Sequence, residues 1–466
     1  MPGAVRGAAH RVPRGGAAAV GRGARLGGGR VDLRLGAVRG GSRRVDRDRP
    51  VRRIRAGRAD IPRTGDHPGG GARPGEIGPS EDKGKEIDVS GNPLVALGQA
   101  GQSPWIDYIH RGMIASGELA RRIAEDGIRG VTSNPTIFEK AVSSGRDYDD
   151  QIRALARAGT PVLDAYKAIV TDDIRAAAGV LRSVYDASRG DDGYVSLEVD
   201  PDLARDTKGT IARARELFDA VGRPNVMIKI PGTKEGLPAV EETIAAGIPV
   251  NVTLIFSVRR YEEVADAYMR GVERWIAAGG DPRNVASVAS FFVSRIDTAV
   301  DPLLLSTVER WPGSPKAETA LSLLGKTAVA SARLAYARFL AISGTPRWRS
   351  LAARGARVQR PLWASTGTKN PKYSDVKYVE ELIGPDTVNT MPPQTMDAFR
   401  DHGVVADTLS GADADAKSVL DDYALMETGI EEVCARLEEE GVRSFLDSYR
   451  KLLAAVEGRL KVASAG

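Results

Sequence analysis

From residue 91 onward, short runs rich in β-branched residues alternate with amphipathic helical stretches. There are eight such runs, no Gly-rich phosphate fingerprint follows the first, and no period of roughly 20–50 residues repeats. These observations predict an α/β chain folded as a (β/α)8 TIM-type barrel. Strand–helix alternation calls for a parallel sheet with right-handed crossovers, and eight strands are enough to close it. A doubly wound open sheet is the alternative. It would want a Gly-rich turn after the first strand, and IDYIHRGMIASGE is not one.

The predicted strands, in order, are 104–109 (PWIDYI), 128–132 (IRGVT), 193–199 (GYVSLEV) and 225–230 (NVMIKI). Then come 249–254 (PVNVTL), 285–290 (VASVAS), 360–365 (RPLWAS) and 386–390 (DTVNT). Each is a short apolar run bounded by Gly, Pro, Asn or Asp, as a strand buried on both faces should be. Helical patterns fill the gaps at 117–126, 206–220 and 257–278. An Ala/Leu-rich helical stretch at 315–344 adds to the minimal barrel, and a last helical region spans 430–460.

The 466 residues carry a net charge of +5, which hides an asymmetry. Residues 1–80 hold 18 Arg, no Lys and 6 acidic residues, a balance of +12, together with 19 of the 52 Gly. The remaining 48 basic and 55 acidic residues give −7. The first stretch has neither the helical nor the strand period and cannot pack a core. Residues 1–88 are therefore expected to be a disordered Arg/Gly/Ala-rich arm, translated from GC-rich sequence upstream of the true start, and 89–466 the folded barrel. An RNA-binding or targeting role for the arm is the alternative. It lacks the aromatic residues that stack bases, the apolar core of a secretory signal and, over 1–30, the Ser of a transit peptide.

One Cys, Cys434, excludes a disulfide framework and Cys-rich metal sites, and four His leave little room for a His-ligated metal. No apolar run reaches membrane-spanning length. The expectation is a cytoplasmic protein of a reducing compartment whose chemistry needs neither metal nor cofactor. The oligomeric state stays open, a homo-oligomer included.

Lys229, in the apolar run NVMIKI, is the most informative residue. An ammonium among apolar side chains is costly, burial favours its neutral amine, and a neutral amine can attack a carbonyl to form a Schiff base. A strand-end Lys that snorkels to water is the alternative. Asp107 in PWIDYI and Glu198 after YVSL are acids in two other apolar strands, and the strands of Glu198 and Lys229 would be neighbours in a barrel. Schiff-base chemistry needs an acid–base group within hydrogen-bond reach. Solvated strand ends and helix caps are the competing reading of each acid, and Asp200 before Pro201 is expected to be such a cap. Thr132, Asn134, Asn251, Thr253 and Ser290 sit at strand ends where neutral hydrogen bonds would hold sugar hydroxyls; Asn134 before Pro135 would also suit a helix start. After the seventh strand, ASTGTKN offers Ser365, Gly367 and Lys369 as a phosphate loop, with Arg295 in FFVSRID as a bidentate partner.

Taken together, VTSNPTIF, YVSLEVDP, VMIKIPGT, NVTLIFS, SFFVSRID and RPLWASTGTKNPKYSD resemble the transaldolase family, in the longer form of actinobacteria and cyanobacteria. The resemblance runs collinearly from about Asn92 to about Leu453. It implies a (β/α)8 barrel without cofactor that acts on sugar phosphates. It implies Lys229 as the Schiff-base lysine, Asp107 as the acid/base for carbon–carbon cleavage, and Glu198 as an acid/base acting through a water held by Thr253. Asn134, Asn251 and Ser290 match residues that bind the dihydroxyacetone portion, and Arg295 and Ser365 match phosphate ligands. Shorter family members carry an Arg where this chain has Gly367, and the second cation is assigned here to Lys369.

The implied reaction moves a dihydroxyacetone unit between ketose and aldose phosphates in the non-oxidative pentose phosphate pathway. Two rivals stand beside it, apart from a catalytically dead barrel with a structural role, against which the retention of all candidate catalytic groups speaks. One is an aldolase-like lyase that releases the unit, against which the position of Glu198 speaks. The other is an RNA-binding protein acting through the arm. The −7 charge of the remainder argues against nucleic acid binding by the folded part.

Overall fold

A computed structural model describes residues 91–465, so the arm at 1–88 and the roles weighed for it lie outside the described residues. Eight parallel strands close into one barrel in chain order, β1 pairing with β8. They are β1 (Gln102–Ile106), β2 (Gly130–Thr132), β3 (Tyr194–Glu198), β4 (Val226–Pro231), β5 (Val250–Ile255), β6 (Ser287–Phe292), β7 (Arg360–Ala364) and β8 (Thr387–Met391). Each overlaps one predicted run. The first is displaced: β1 ends at Ile106, so Asp107 stands just past the strand, its N–H donating to Met391 O at 2.8 Å.

Helices wrap the outside and bury the strands on both faces. Two of them start on side-chain caps that the sequence carries. Asp206 accepts from Gly209 N at 3.0 Å to open Thr207–Val221, and Ser257 accepts from Arg260 N at 3.1 Å to open Val258–Ala277. Asp200 corrects an expectation. It precedes the turn Pro201–Leu203 but makes no cap; its carboxylate lies 3.0 Å from Arg213 Nε instead. A three-residue turn exposes few free N–H groups, and a guanidinium is the stronger partner.

The Ala/Leu-rich stretch forms two helices, Pro315–Leu323 and Thr327–Ser343, between β6 and β7. They break at Gly325, which has φ +68 and donates its N–H to buried Asp301. The last helix is one piece of 36 residues, Ile430–Ala465. Val433, Leu437, Gly441, Phe445, Tyr449, Leu452, Val456 and Leu460 form its buried stripe at spacings of three and four, as an amphipathic helix requires. Among the described residues no helix is long and apolar enough to cross a membrane.

The barrel interior has two polar ends. At the N-terminal end, Arg360 on β7 meets Asp192 at 3.0 Å, Ser103 accepts from Arg360 at 2.9 Å, and Trp105 Nε1 donates to Asp192 at 3.0 Å. This buried pair plugs the floor, and no sequence expectation covered it. Trp105 lies over Gly130 on β2, where a Cβ would stand 2.3 Å from the indole Cδ2. The ring is fully buried and pinned by Asp192, so it cannot yield. Gly130→Ala should therefore destabilise the fold by about 2–3 kcal/mol through overpacking. A denaturant midpoint unchanged from wild type would show that the floor is softer than this geometry implies.

Candidate active site

At the C-terminal end of the strands a cavity of about 290 Å³ opens among Asp107, Thr132, Asn134, Lys229, Thr253, Ser290, Arg295, Ser365 and Lys369. Nine of the eleven expected site residues therefore line one space, drawn from β1, β2, β4, β5, β6, β7 and their following loops. The alternation of side chains along each strand explains the convergence, because every second residue faces the barrel axis.

The other two lie just beneath. Strand register places Lys229 opposite Glu198 on β3 and opposite Asn251 on β5. Lys229 is 4% exposed, its Nζ donates to Ser133 O at 3.1 Å, and Glu198 Oε2 is 3.3 Å away. Beyond that ion pair, Glu198 Oε2 is buried without a hydrogen-bond partner among the described residues. Thr253 Oγ1 is buried and unpartnered likewise. Asn251 is fully buried and already engaged: its Nδ2 donates to Ser196 Oγ at 3.0 Å and its Oδ1 accepts from Ser290 Oγ at 2.7 Å. It supports Ser290 from below the cavity wall. Asn134 is the helix start that the sequence allowed, since its Oδ1 caps Ile137 N at 3.0 Å in the helix Pro135–Ser144. Its Nδ2 makes no hydrogen bond among the described residues.

A second cluster sits at the rim. Arg295 occupies the first turn of the helix Ser294–Arg310 and pairs with no carboxylate among the described residues. Ser365 follows β7 with φ +56, a left-handed conformation costing about 1 kcal/mol or more for a residue other than Gly. It is held there by Val293 N donating to Ala364 O at 3.0 Å and Ser294 N to Ser365 O at 3.2 Å. Ser365 Oγ lies 3.1 Å from Ser294 Oγ. At Gly367 a Cβ would stand 3.2 Å from Thr395 Oγ1 and 4.0 Å from Lys369 Nζ. The space that a side chain at 367 would enter is thus bordered by the Lys369 ammonium.

Sequence reasoning missed several members of the wall, Thr136, Lys140, Thr390 and Phe445 among them. Lys140 and Thr136 project from the helix after β2, one turn apart on the same face; Thr136 closes the motif VTSNPT without having been singled out, and Lys140 lies beyond it. Phe445 comes from the C-terminal helix, with its ring centre 5.8 Å from Lys229 Nζ. The helical period of 430–460 was readable, but not what its apolar stripe would cover.

Fold and site define a (β/α)8-barrel enzyme with a lysine–carboxylate centre below a cationic rim. Its relatives agree. The profile of the Transaldolase/Fructose-6-phosphate aldolase family matches residues 104–456. A transaldolase of Parafrankia sp. is 51% identical over 374 residues, 80% of this chain and 99% of the relative. One of Acidothermus cellulolyticus is 52% identical over 80% of this chain and 98% of its own length, and transaldolase 1 of Streptomyces coelicolor is 50% identical over 80% and 96%. The chain belongs to the transaldolase/fructose-6-phosphate aldolase family.

Burial governs the acids of the centre. It pushes the Asp107 carboxyl above the ordinary carboxylate range, although part of the group opens into the cavity. The Lys229 charge and a hydrogen bond from Thr132 oppose the rise. Glu198 is pushed up by burial as well, with Lys229 opposing. Thr132 Oγ1 donates to Asp107 Oδ1 at 2.6 Å, and because it has one proton to give, Thr390 Oγ1 at 2.7 Å is the donor to Thr132. This relay stabilises the ionised carboxylate. Thr132→Val should move the Asp107 titration midpoint further up, because it removes the hydrogen bond that favours the ionised carboxylate. Carboxyl-carbon NMR on aspartate-labelled protein would show it, and a midpoint that stays put would mean the relay does not reach Asp107.

Proposed function

We propose that this chain is a transaldolase that transfers a dihydroxyacetone unit through a Schiff base on Lys229. It interconverts sedoheptulose 7-phosphate plus glyceraldehyde 3-phosphate with erythrose 4-phosphate plus fructose 6-phosphate, in the non-oxidative pentose phosphate pathway. The observation that carries the residue assignment is the buried Lys229 ammonium, 3.3 Å from Glu198 and in one cavity with Asp107. Relatives named transaldolase, about half identical over nearly their whole length, support transfer over release. The catalytic part lies within residues 89–466 and works in the cytoplasm.

The steps follow from the placement. Lys229 attacks the keto carbon of the donor, and loss of water gives an iminium. A water bridging Glu198 Oε2 and Thr253 Oγ1 would satisfy both orphaned oxygens and carry the protons of that step. Asp107 takes the proton from the hydroxyl on the fourth carbon. The bond between the third and fourth carbons breaks, its electrons pass to the iminium nitrogen, and an aldose phosphate leaves. The enamine left behind attacks the carbonyl of the acceptor, and the steps run in reverse. Thr132, Asn134 and Ser290 offer the neutral hydrogen bonds that hydroxyls need, with Asn251 positioning Ser290. Arg295, Ser365 and Lys369 hold the phosphate, Arg295 and the adjacent helix start supplying aligned donors.

Borohydride reduction in the presence of fructose 6-phosphate should fix a three-carbon adduct on Lys229, readable by peptide mass spectrometry. Lys229→Ala should abolish both adduct and turnover while the chain stays folded, and near-normal turnover in that variant would sink the assignment. Lys369→Met should raise KM for phosphorylated substrates roughly tenfold, the loss of one charged hydrogen bond. Labelling of Lys229 by unphosphorylated dihydroxyacetone should be unaffected, and an unchanged KM would remove Lys369 from the phosphate site.

A further inference from the structure

Phe445 belongs to no strand or strand–helix loop of the barrel. It is delivered by the C-terminal helix Ile430–Ala465, is 5% exposed, and sets its ring centre 5.8 Å from Lys229 Nζ in the cavity wall. The helix is anchored on both sides of it. Before it, Cys434 Sγ donates to Phe256 O at 3.2 Å, and Gly441 admits Leu254, whose Cδ2 would stand 2.9 Å from a Cβ there. After it, Ser448 Oγ accepts from Thr136 Oγ1 at 2.8 Å and Arg459 Nη1 donates to Val142 O at 2.5 Å. The ring is therefore held in place, and it has no donor or acceptor for a sugar hydroxyl. What it offers is an apolar face that tolerates a cation and excludes water.

Exclusion matters because the enamine has two fates on the same lysine. In transfer, its third carbon forms a bond to the acceptor carbonyl. In release, that carbon takes a proton from water instead, giving the iminium of dihydroxyacetone. Water then adds to the second carbon, a proton passes to nitrogen, the carbon–nitrogen bond breaks, and dihydroxyacetone leaves with the Lys229 amine restored. The sum is fructose 6-phosphate cleaved to dihydroxyacetone and glyceraldehyde 3-phosphate, with no oxidant or reductant involved. Access of water to the adduct decides between the fates.

We propose that Phe445 sets the partition between transfer and release by covering the Lys229 adduct from the mouth of the barrel. This rests on the Schiff-base reading above. The test compares full-length wild type, Phe445→Ala and Phe445→Leu with fructose 6-phosphate and erythrose 4-phosphate. It reads free dihydroxyacetone against sedoheptulose 7-phosphate formed. The ratio belongs to the turnover of folded molecules alone, so a partly misfolded variant still reports it. Phe445→Ala should raise release relative to transfer by roughly tenfold, and Phe445→Leu, which keeps apolar bulk, by less. An unchanged ratio in both variants, with Lys229 still trapped by borohydride, overturns the role of Phe445 and leaves the Schiff base standing. If wild type itself gives no adduct on Lys229, the Schiff-base reading fails and this inference with it.

Discussion

An ammonium buried inside a closed barrel is the constraint from which the rest of the site follows. Lys229 has one carboxylate within ion-pair distance, Glu198 at 3.3 Å, and one carbonyl, Ser133 O at 3.1 Å. Taking such charges out of water costs several kcal/mol per ion, repaid only when partner and geometry are both supplied. Parallel register supplies the partner, because β3 and β4 bring Glu198 and Lys229 side by side. Beyond that ion pair, Glu198 Oε2 has no hydrogen-bond partner among the described residues. In the Schiff-base reading proposed above, this is the acceptor beside the nucleophile.

The contrast with the floor sharpens the point. Arg360 and Asp192 form the other buried pair of the barrel, and there the hydrogen bonds are filled by Ser103, Trp105 and the carbonyl of Asp191. Strand register sets Glu198 beside Lys229, whereas Arg360 opens β7 and meets Asp192 from the loop before β3. The Arg360–Asp192 pair ties the start of β7 to the loop before β3 and to β1, while the Lys229–Glu198 pair lies at the cavity. Saturation, rather than charge, separates the two pairs.

Most of this was legible in the sequence because strands buried on both faces advertise themselves as short apolar runs, and a charge inside such a run stands out. Lys229, Glu198 and Asp107 were found that way. Boundaries were less legible: Asp107 reads as strand but stands one residue past β1, since the pattern PWIDYI continues beyond the last paired residue. Asn251 reads like a ligand residue, and the structure sets it below the cavity wall, one N–H on Ser196 and one lone pair on Ser290, a placement that depends on depth and not on spacing. The floor was invisible because Asp192 lies in a loop and Arg360 at a strand start, where charges are ordinary. Lys140 and Phe445 were invisible for a different reason. Their elements are periodic helices, and period tells which face is apolar without telling what it meets.

The grading of charge with depth ties these parts together. Lys140 and Lys369 are exposed, Arg295 is half-buried, and below them the wall turns to hydroxyls and amides before reaching Lys229. Exposed cations keep much of their hydration and stand at the rim at little cost, where a phosphate dianion first arrives. Sugar hydroxyls are neutral, so Thr132, Asn134 and Ser290 can meet them deeper in without burying further charge. At the bottom of the cavity the chain accepts the cost of a buried ion, at Lys229, the residue proposed as the nucleophile. The C-terminal helix closes over Lys229 with the buried Phe445 ring, while Lys140 and Lys369 at the rim stay exposed.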